Sequence, residues 1–289
     1  MQNKTIIGIY HKDCTDGSAA AAVLLKRFPD AKLFPLNHTY TEEDLSSIYK
    51  EIALGADIYL LDLAFVEEKL IETLDENNNI VILDHHISAK KKAEQIASKH
   101  KNITYIFDNN KSGASLAWNY FFPDKEVPEI IKYVEDSDLW KLKYGNNTKY
   151  ATNYLSMYTN LPETLLRFFD GDIEEIKKNG KIITEYTDIQ IDRIVRGIGN
   201  IILRIGEFTV PAYNITMYES PVGNKISEKQ GRATVMFSIK GNSVRFSFRS
   251  KDGQNPSALE LAVLLGGGGH QNAAGAEISL KDFLNIIVL

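Results

Sequence analysis

The sequence predicts an α/β protein. An N-terminal domain with a parallel, doubly wound sheet is followed by a helical connector and a smaller mixed α/β C-terminal domain. Three observations carry that prediction. Short apolar runs alternate with helix-like segments through the first half of the chain, the middle turns mostly helical, and the last third brings strands linked by turns. Continuous apolar strands separated by helices are the pattern of a parallel sheet covered on both faces.

The expected strands are "TIIGIY", "AKLFPL", "DIYLLDL", "NIVILD" and "ITYIFD". The helices between them are "DGSAAAAVLLKRF", "TEEDLSSIYKEI", "VEEKLIETL" and "SAKKKAEQIASK". Thr41, followed by Glu42, Glu43 and Asp44, has the hydroxyl cap and first-turn acids of a helix start. From Pro123 to Arg204 the helical segments are "EVPEIIKYVED", "LPETLLRFF" and the long stretch beginning "EEIKKNGKIITEY", which reads as the connector. "EFTVPAYNIT", "ATVMFSIK" and "SVRFSFRS" then read as strands, the last two joined by "KGNS". "NPSALELAVLL" reads as a helix with Asn255 as cap and Pro256 in its first turn. The expected boundaries are 1–155 for the first domain, 156–204 for the connector and 205–289 for the second domain.

Composition narrows the partners. The 289 residues are 44% hydrophobic and 25% charged, with a net charge of −5, which is a globular balance. A protein that coats long nucleic acid carries a broad basic face. The longest basic run here is Lys90 to Lys92. A nucleic-acid ligand is therefore expected to be short and held in a local pocket, with no long duplex bound. No apolar stretch reaches the length of a membrane span, and no basic-then-apolar leader opens the sequence. Cys14 is the single cysteine, so no intrachain disulfide can form, in keeping with a reducing cytoplasm.

In a doubly wound sheet, ligands bind beyond the carboxyl ends of the strands. Here those ends carry metal-ligand chemistry. The first strand runs into His11, Asp13 and Asp16, the third into Asp62, and the fourth into Asp84, His85 and His86. A further acidic group, "YVEDSDLW", holds Glu135, Asp136 and Asp138. One aspartate after a strand is most often a turn or cap residue, but several at one sheet edge repel each other unless cations intervene. Carboxylates and imidazole, without thiolates, suit manganese, iron or hydrated magnesium more than structural zinc.

Asp84-His85-His86 after an apolar strand, together with "GGGGHQNAAGA" near the C-terminus, resembles the DHH phosphoesterase family with its DHH-associated C-terminal domain. Length and domain order are similar to the oligoribonuclease (nanoRNase) and phosphoadenosine-phosphate phosphatase branch, rather than to the larger RecJ-type exonucleases. The resemblance implies two divalent metal ions, manganese in the first instance, with magnesium or iron as alternatives. One ion would be held by His11, Asp13 and Asp62, and the other by Asp16, Asp62, His85 and Asp136, with Asp62 bridging. Asp84 would orient a histidine, and His86 would approach the scissile phosphate. Asp138 is the less favoured acid of its pair. In the second domain the resemblance assigns substrate binding to Arg249, Ser250, Gly268, Gly269 and His270.

The family's first motif places two aspartates with one residue between them. Here Cys14 and Thr15 separate Asp13 from Asp16. The expectation is a bulged turn that delivers both aspartates and turns Cys14 away.

The implied activity is hydrolysis of very short oligoribonucleotides or linear dinucleotides to mononucleotides. Alternatives are a 3′-phosphoadenosine 5′-phosphate phosphatase, a cyclic-dinucleotide phosphodiesterase, and a non-catalytic nucleotide-binding regulator. No membrane partner is expected, and a homodimer is left open.

Overall fold

The computed structural model describes residues 4–37, 40–52, 55–64 and 78–288. The helix expected at "VEEKLIETL" and His38, which reads from sequence as a surface or packing histidine, lie outside the described residues. The chain divides into two compact units, Met1–Thr184 and Glu185–Leu289.

In the first unit, strands β1 (Thr5–His11), β2 (Lys32–Leu36), β3 (Ala56–Leu61), β4 (Asn79–Asp84) and β5 (Ile103–Phe107) form one parallel sheet in the order β2-β1-β3-β4-β5. All five apolar runs singled out in the sequence are strands. Strand side chains alternate between faces, and the core divides accordingly. Ile7, Ile9, Ile58, Leu60, Ile80 and Ile82 face one side, against α2 (Glu42–Ile52) and α3 (Ile87–Lys99). Tyr10, Leu61 and Leu83 face the other, against α1 (Thr15–Arg27), α4 (Gly113–Phe121) and α5 (Glu129–Asp138). The sheet is thus doubly wound, and its strand order reverses between β1 and β3, where an open α/β sheet leaves a crevice. Thr41 caps α2 as expected: its hydroxyl accepts from Asp44 N (3.3 Å), and the Asp44 carboxylate accepts from Thr41 N (2.7 Å).

The first unit continues through α6 (Asn146–Leu155) and α7 (Pro162–Phe168) into α8 (Ile173–Gly197), and the boundary between the units falls within α8. The sequence pattern carries helix on to Arg204. The helix instead stops at Gly197, and β6 occupies Ile201–Ile205. Gly197, Gly199 and Asn200 disfavour helix, and the isoleucine-rich run behind them suits a pleated, half-buried strand.

The second unit is a seven-stranded mixed sheet, β10-β11-β9-β8-β7-β6-β12. It comprises β6, β7 (Phe208–Asn214), β8 (Thr234–Lys240), β9 (Ser243–Arg249), β10 (Gly268–His270), β11 (Ala273–Ser279) and β12 (Ile287–Val288). Helix α9 (Glu219–Gln230) makes the crossover between the parallel pair β7 and β8. Met236 faces α9, while Val235 and Phe237 face α10 (Ala258–Leu264) and α11 (Leu280–Ile286). "KGNS" is the hairpin turn between β8 and β9, as expected. The cap of α10 is Ser257 rather than Asn255. Its hydroxyl accepts from Glu260 N, and Glu260 returns a carboxylate to Ser257 N, a full capping box.

Candidate metal centre

Three triads of ligand atoms, each within 4.8 Å of one another, lie at the carboxyl edge of the parallel sheet. They are His11–Cys14–Asp62, Asp62–His85–His86 and Asp16–His85–Asp138. They share members, and Asp62 belongs to two of them. It follows the last residue of β3, adjacent to β1, with a left-handed backbone (φ 57°). His11 Nδ1 is 3.5 Å from Asp62 Oδ2, and His85 Nε2 is 3.1 Å from Asp62 Oδ1. Asp62 is 1% exposed.

Asp16 enters from the first turn of α1. Its carboxylate also caps a different helix: Gly113 N donates to Oδ2 (2.6 Å) and Ala114 N to Oδ1 (3.0 Å), at the start of α4. This approach demands glycine at 113, because a Cβ there would lie 2.5 Å from Asp62 Cβ and 3.0 Å from Asp16 Oδ2. The sequence reading does not single out helix α4 or Gly113. Ser112, whose side chain accepts from Ser115 N, is the readable signal, a serine cap before an apolar run.

Two expected ligands, Asp13 and Asp136, lie outside these triads, and a near neighbour of each lies within one. Asp13 does not join the cluster. It has a left-handed backbone (φ 57°), accepts from Asn160 Nδ2 (2.6 Å), and donates its own N–H to Asn160 Oδ1 (3.0 Å). Cys14, expected to turn away, has its sulfur beside His11 and Asp62. Cys14-Thr15-Asp16 thereby restores the family's spacing, with a thiol where the first aspartate would be.

The second exchange is Asp138 for Asp136. Both sit on α5, and two residues along an α-helix turn a side chain by about 200°, so one helix face cannot present both. The Asp136 carboxylate accepts from Lys143 N (2.8 Å), Tyr144 N (3.2 Å) and the Thr148 hydroxyl. Asp138 faces the cluster, 3.5 Å from His85 Nε2, and its Oδ2 is buried without a hydrogen bond.

Asp84 is fully buried, with Oδ1 2.7 Å from His86 Nδ1. This contact fixes the His86 ring.

The electrostatics are those of ligands gathered without cations. Burial, then the charges of Asp62 and Asp138, push Asp16 well above the usual carboxylate range. Asp138 is raised to about 6 by burial and by Asp62. Burial works against Asp62 as well, but hydrogen bonds from His11 and His85 outweigh it and hold Asp62 below the usual range. For His85, burial lowers and Asp62 raises, and the net value is about 9. Burial and the neighbouring carboxylates push the Cys14 thiol well above its ordinary value. The donor set of carboxylates, imidazoles and one thiol, with an orphaned buried carboxylate oxygen on Asp138, fits divalent metal.

In the second unit, Arg249 and His270 share a level of the sheet, since both pair with Ala273, from β9 and β10 respectively. Arg249 donates to Ser220 Oγ (2.6 Å) and Ser247 Oγ (3.1 Å), and its Nε is buried without a partner. Ser250 is buried and engaged: its hydroxyl accepts from Ala258 N (3.0 Å) and lies 3.1 Å from Asn272 Oδ1. Gly268, Gly269 and His270 are exposed. Gly269 (φ 142°) has no room for a Cβ, which would meet Ala273 O at 2.7 Å.

A groove of about 700 Å³ in the first unit, lined by residues including Lys26, Trp118, Lys132 and Tyr144, lacks any such constellation. Of its cations, Lys26 pairs with Asp170 and Lys132 with Glu126, while Lys125 lies over the Phe122 ring.

Comparison with known proteins agrees with this layout. Residues 220–288 match the DHHA1 domain. Uncharacterized protein R106 of Acanthamoeba polyphaga mimivirus is 25% identical over 288 residues, covering 94% of this chain and 67% of that protein. Among solved structures, the pGpG-specific phosphodiesterase PggH from Vibrio cholerae is similar with a TM-score of 0.53 at 15% identity, covering 98% of this chain and 96% of that one. RecJ from Thermus thermophilus, in complex with Mn2+, has a TM-score of 0.56 at 12% identity, covering 98% of this chain and 51% of that one. At these identities the two structures share the fold.

Proposed function

We propose that the chain is a metal-dependent phosphodiesterase of the DHH type, on the premise that residues 220–288 match the DHHA1 domain. Its substrates are very short oligoribonucleotides or linear dinucleotides, which it hydrolyses to mononucleotides. The observation that carries this reading is the set of three ligand triads joined through Asp62 and His85 at the switch point of the sheet. The solved relatives point the same way, one being described as a pGpG-specific phosphodiesterase and another as RecJ with manganese.

His11, Cys14 and Asp62 would hold one divalent ion, and Asp16, Asp62, His85 and Asp138 the other, manganese being the first choice. Bound there, the ions would stabilise charge on a transferring phosphoryl group and acidify an attacking water. The protein supplies the rest. Asp62 would be the ligand common to both ions, held by a left-handed backbone against which Gly113 packs closely. Asp84 holds His86 toward the cluster, so that the ring can meet a phosphate oxygen or the leaving group. Burial of Asp16, Asp62 and Asp84 keeps the local dielectric low, which strengthens every charge interaction in the site. Arg249 and His270 are proposed to receive the substrate's phosphate or terminal nucleotide in the second unit, with Gly268 and Gly269 giving close backbone approach. Ser250 would act there by holding the loop to the start of α10.

A substrate panel with manganese tests the reading. It comprises labelled RNA of two to five nucleotides, a long RNA, linear and cyclic dinucleotides, and 3′-phosphoadenosine 5′-phosphate. Turnover is expected on the shortest RNAs and linear dinucleotides, and Asp62→Ala is expected to reduce it at least about a hundredfold. Processing of the long RNA alone, or full activity in the double variant Asp62→Ala, His85→Ala, would contradict it.

A further inference from the structure

We propose that Trp140 is a stacking platform for a nucleobase of the substrate, an inference that rests on the phosphodiesterase reading above. Four observations lead to it. Trp140 is 64% exposed, and no ring or cation contact to it is present among the described residues. It stands two positions after Asp138, so their Cα atoms lie at most about 7 Å apart, and the loop that carries it leads directly out of the metal centre. Its backbone is left-handed (φ 52°), as is that of Leu142 (φ 47°), a conformation unfavourable for bulky side chains. Finally, the loop that holds it is fixed. Lys141 N (3.0 Å) and Leu142 N (3.3 Å) donate to Asp136 O, while Lys143 N and Tyr144 N donate to the Asp136 carboxylate.

Backbone strain has a location in this protein. Among the described residues, six non-glycine residues have positive φ, and five of them are Asp13, Asp62, Trp140, Leu142 and Asn160. Asp62 is in the cluster, Asp13 and Asn160 bond each other beside Cys14, and Trp140 and Leu142 follow Asp138. Aspartate and asparagine tolerate this conformation, whereas tryptophan and leucine do not. Strained residues cluster where a protein clamps a ligand, and a strained, exposed aromatic on a fixed loop next to the metal-centre helix suits that role. An indole accepts the flat face of any base, so the platform would bind short substrates with little base discrimination.

Trp140 can be followed by its own fluorescence. The chain has two tryptophans, and the other, Trp118, is 3% exposed. Titration with AMP in the presence of magnesium is expected to quench the exposed component, titration with methyl phosphate to leave it unchanged, and Trp140→Phe to abolish the AMP signal. In kinetics on 5′-phosphorylated diadenylate, Trp140→Ala is expected to raise KM roughly tenfold with kcat little changed, and Trp140→Tyr to stay within about threefold of wild type. Calorimetric metal affinity should be the same in all three. Equal quenching by AMP and methyl phosphate, or an unchanged KM in Trp140→Ala, would overturn the proposal. So would a Trp140→Ala variant that changes oligomeric state by light scattering while binding AMP normally. The AMP titration needs no turnover, so failure of the phosphodiesterase reading would show separately, as inactivity across the substrate panel.

Discussion

Cys14 and Asp13 are adjacent, and the fold sends them to different tasks. The Asp13 carboxylate and N–H close a reciprocal pair with Asn160, while the Cys14 sulfur lies beside His11 and Asp62. As a ligand, Cys14 would supply one of the protein's bonds to the first ion, and Asp13 none. Calorimetric titration with manganese should therefore show Cys14→Ala binding at least about tenfold more weakly at one site, and Asp13→Ala binding within about twofold of wild type. The reverse ranking would restore Asp13 as a ligand. The sequence shows ligand types and strand ends at this site but not the choice between neighbours. That choice is made by Asn160, 147 residues away along the chain, and nothing in a linear string marks such a partner.

At the scale of elements, α5 shows how a helix sorts two acids. Asp136 and Asp138 point to opposite sides, so one builds the loop and the other joins the site. Asp136 collects two backbone N–H donors and a hydroxyl on its carboxylate, and these contacts, against the opposing effect of burial, hold it below the usual carboxylate range. Hydrogen bonds to a buried charge are worth about 2 kcal/mol, so Asp136→Asn should lower stability by about that amount at neutral pH. The sign with pH follows from linkage. A group whose folded pKa is depressed stabilises the protein above its unfolded value, about 3.9, and loses that contribution as pH falls through the folded value. Denaturant unfolding of wild type and Asp136→Asn should therefore converge below about pH 4. A gap that stays constant down to about pH 3 would contradict the assignment. Asp138→Asn, which removes one of several crowded carboxylates, should leave stability unchanged or raise it. In the string "EDSD" the acids are visible; which of them faces the sheet depends on the helix phase, set by Ile130, Ile131 and Val134 packing in the core.

Over the whole molecule, the sheet is the most legible feature. Five apolar runs are five parallel strands, and the central ones, β1, β3 and β4, being largely buried on both faces, have no polar side to disguise them. Helix α9 is less legible, since Pro221 and Gly223 weaken its pattern. Gly223 packs where a Cβ would lie 2.4 Å from Met236 Cε, a tertiary reason for a residue of poor helix propensity. In the described residues no helix is long and apolar enough to cross a membrane. What the architecture contributes is the gathering of metal-ligating side-chain types from β1, α1, β3, β4 and α5 around one aspartate. The most direct test is manganese stoichiometry with electron paramagnetic resonance, on wild type and Asp62→Ala. Two manganese ions per chain are expected, spin-coupled at the roughly 4 Å separation of a shared-carboxylate pair, with loss of the coupling in Asp62→Ala. Two uncoupled ions, or a coupled pair that survives Asp62→Ala, would contradict it.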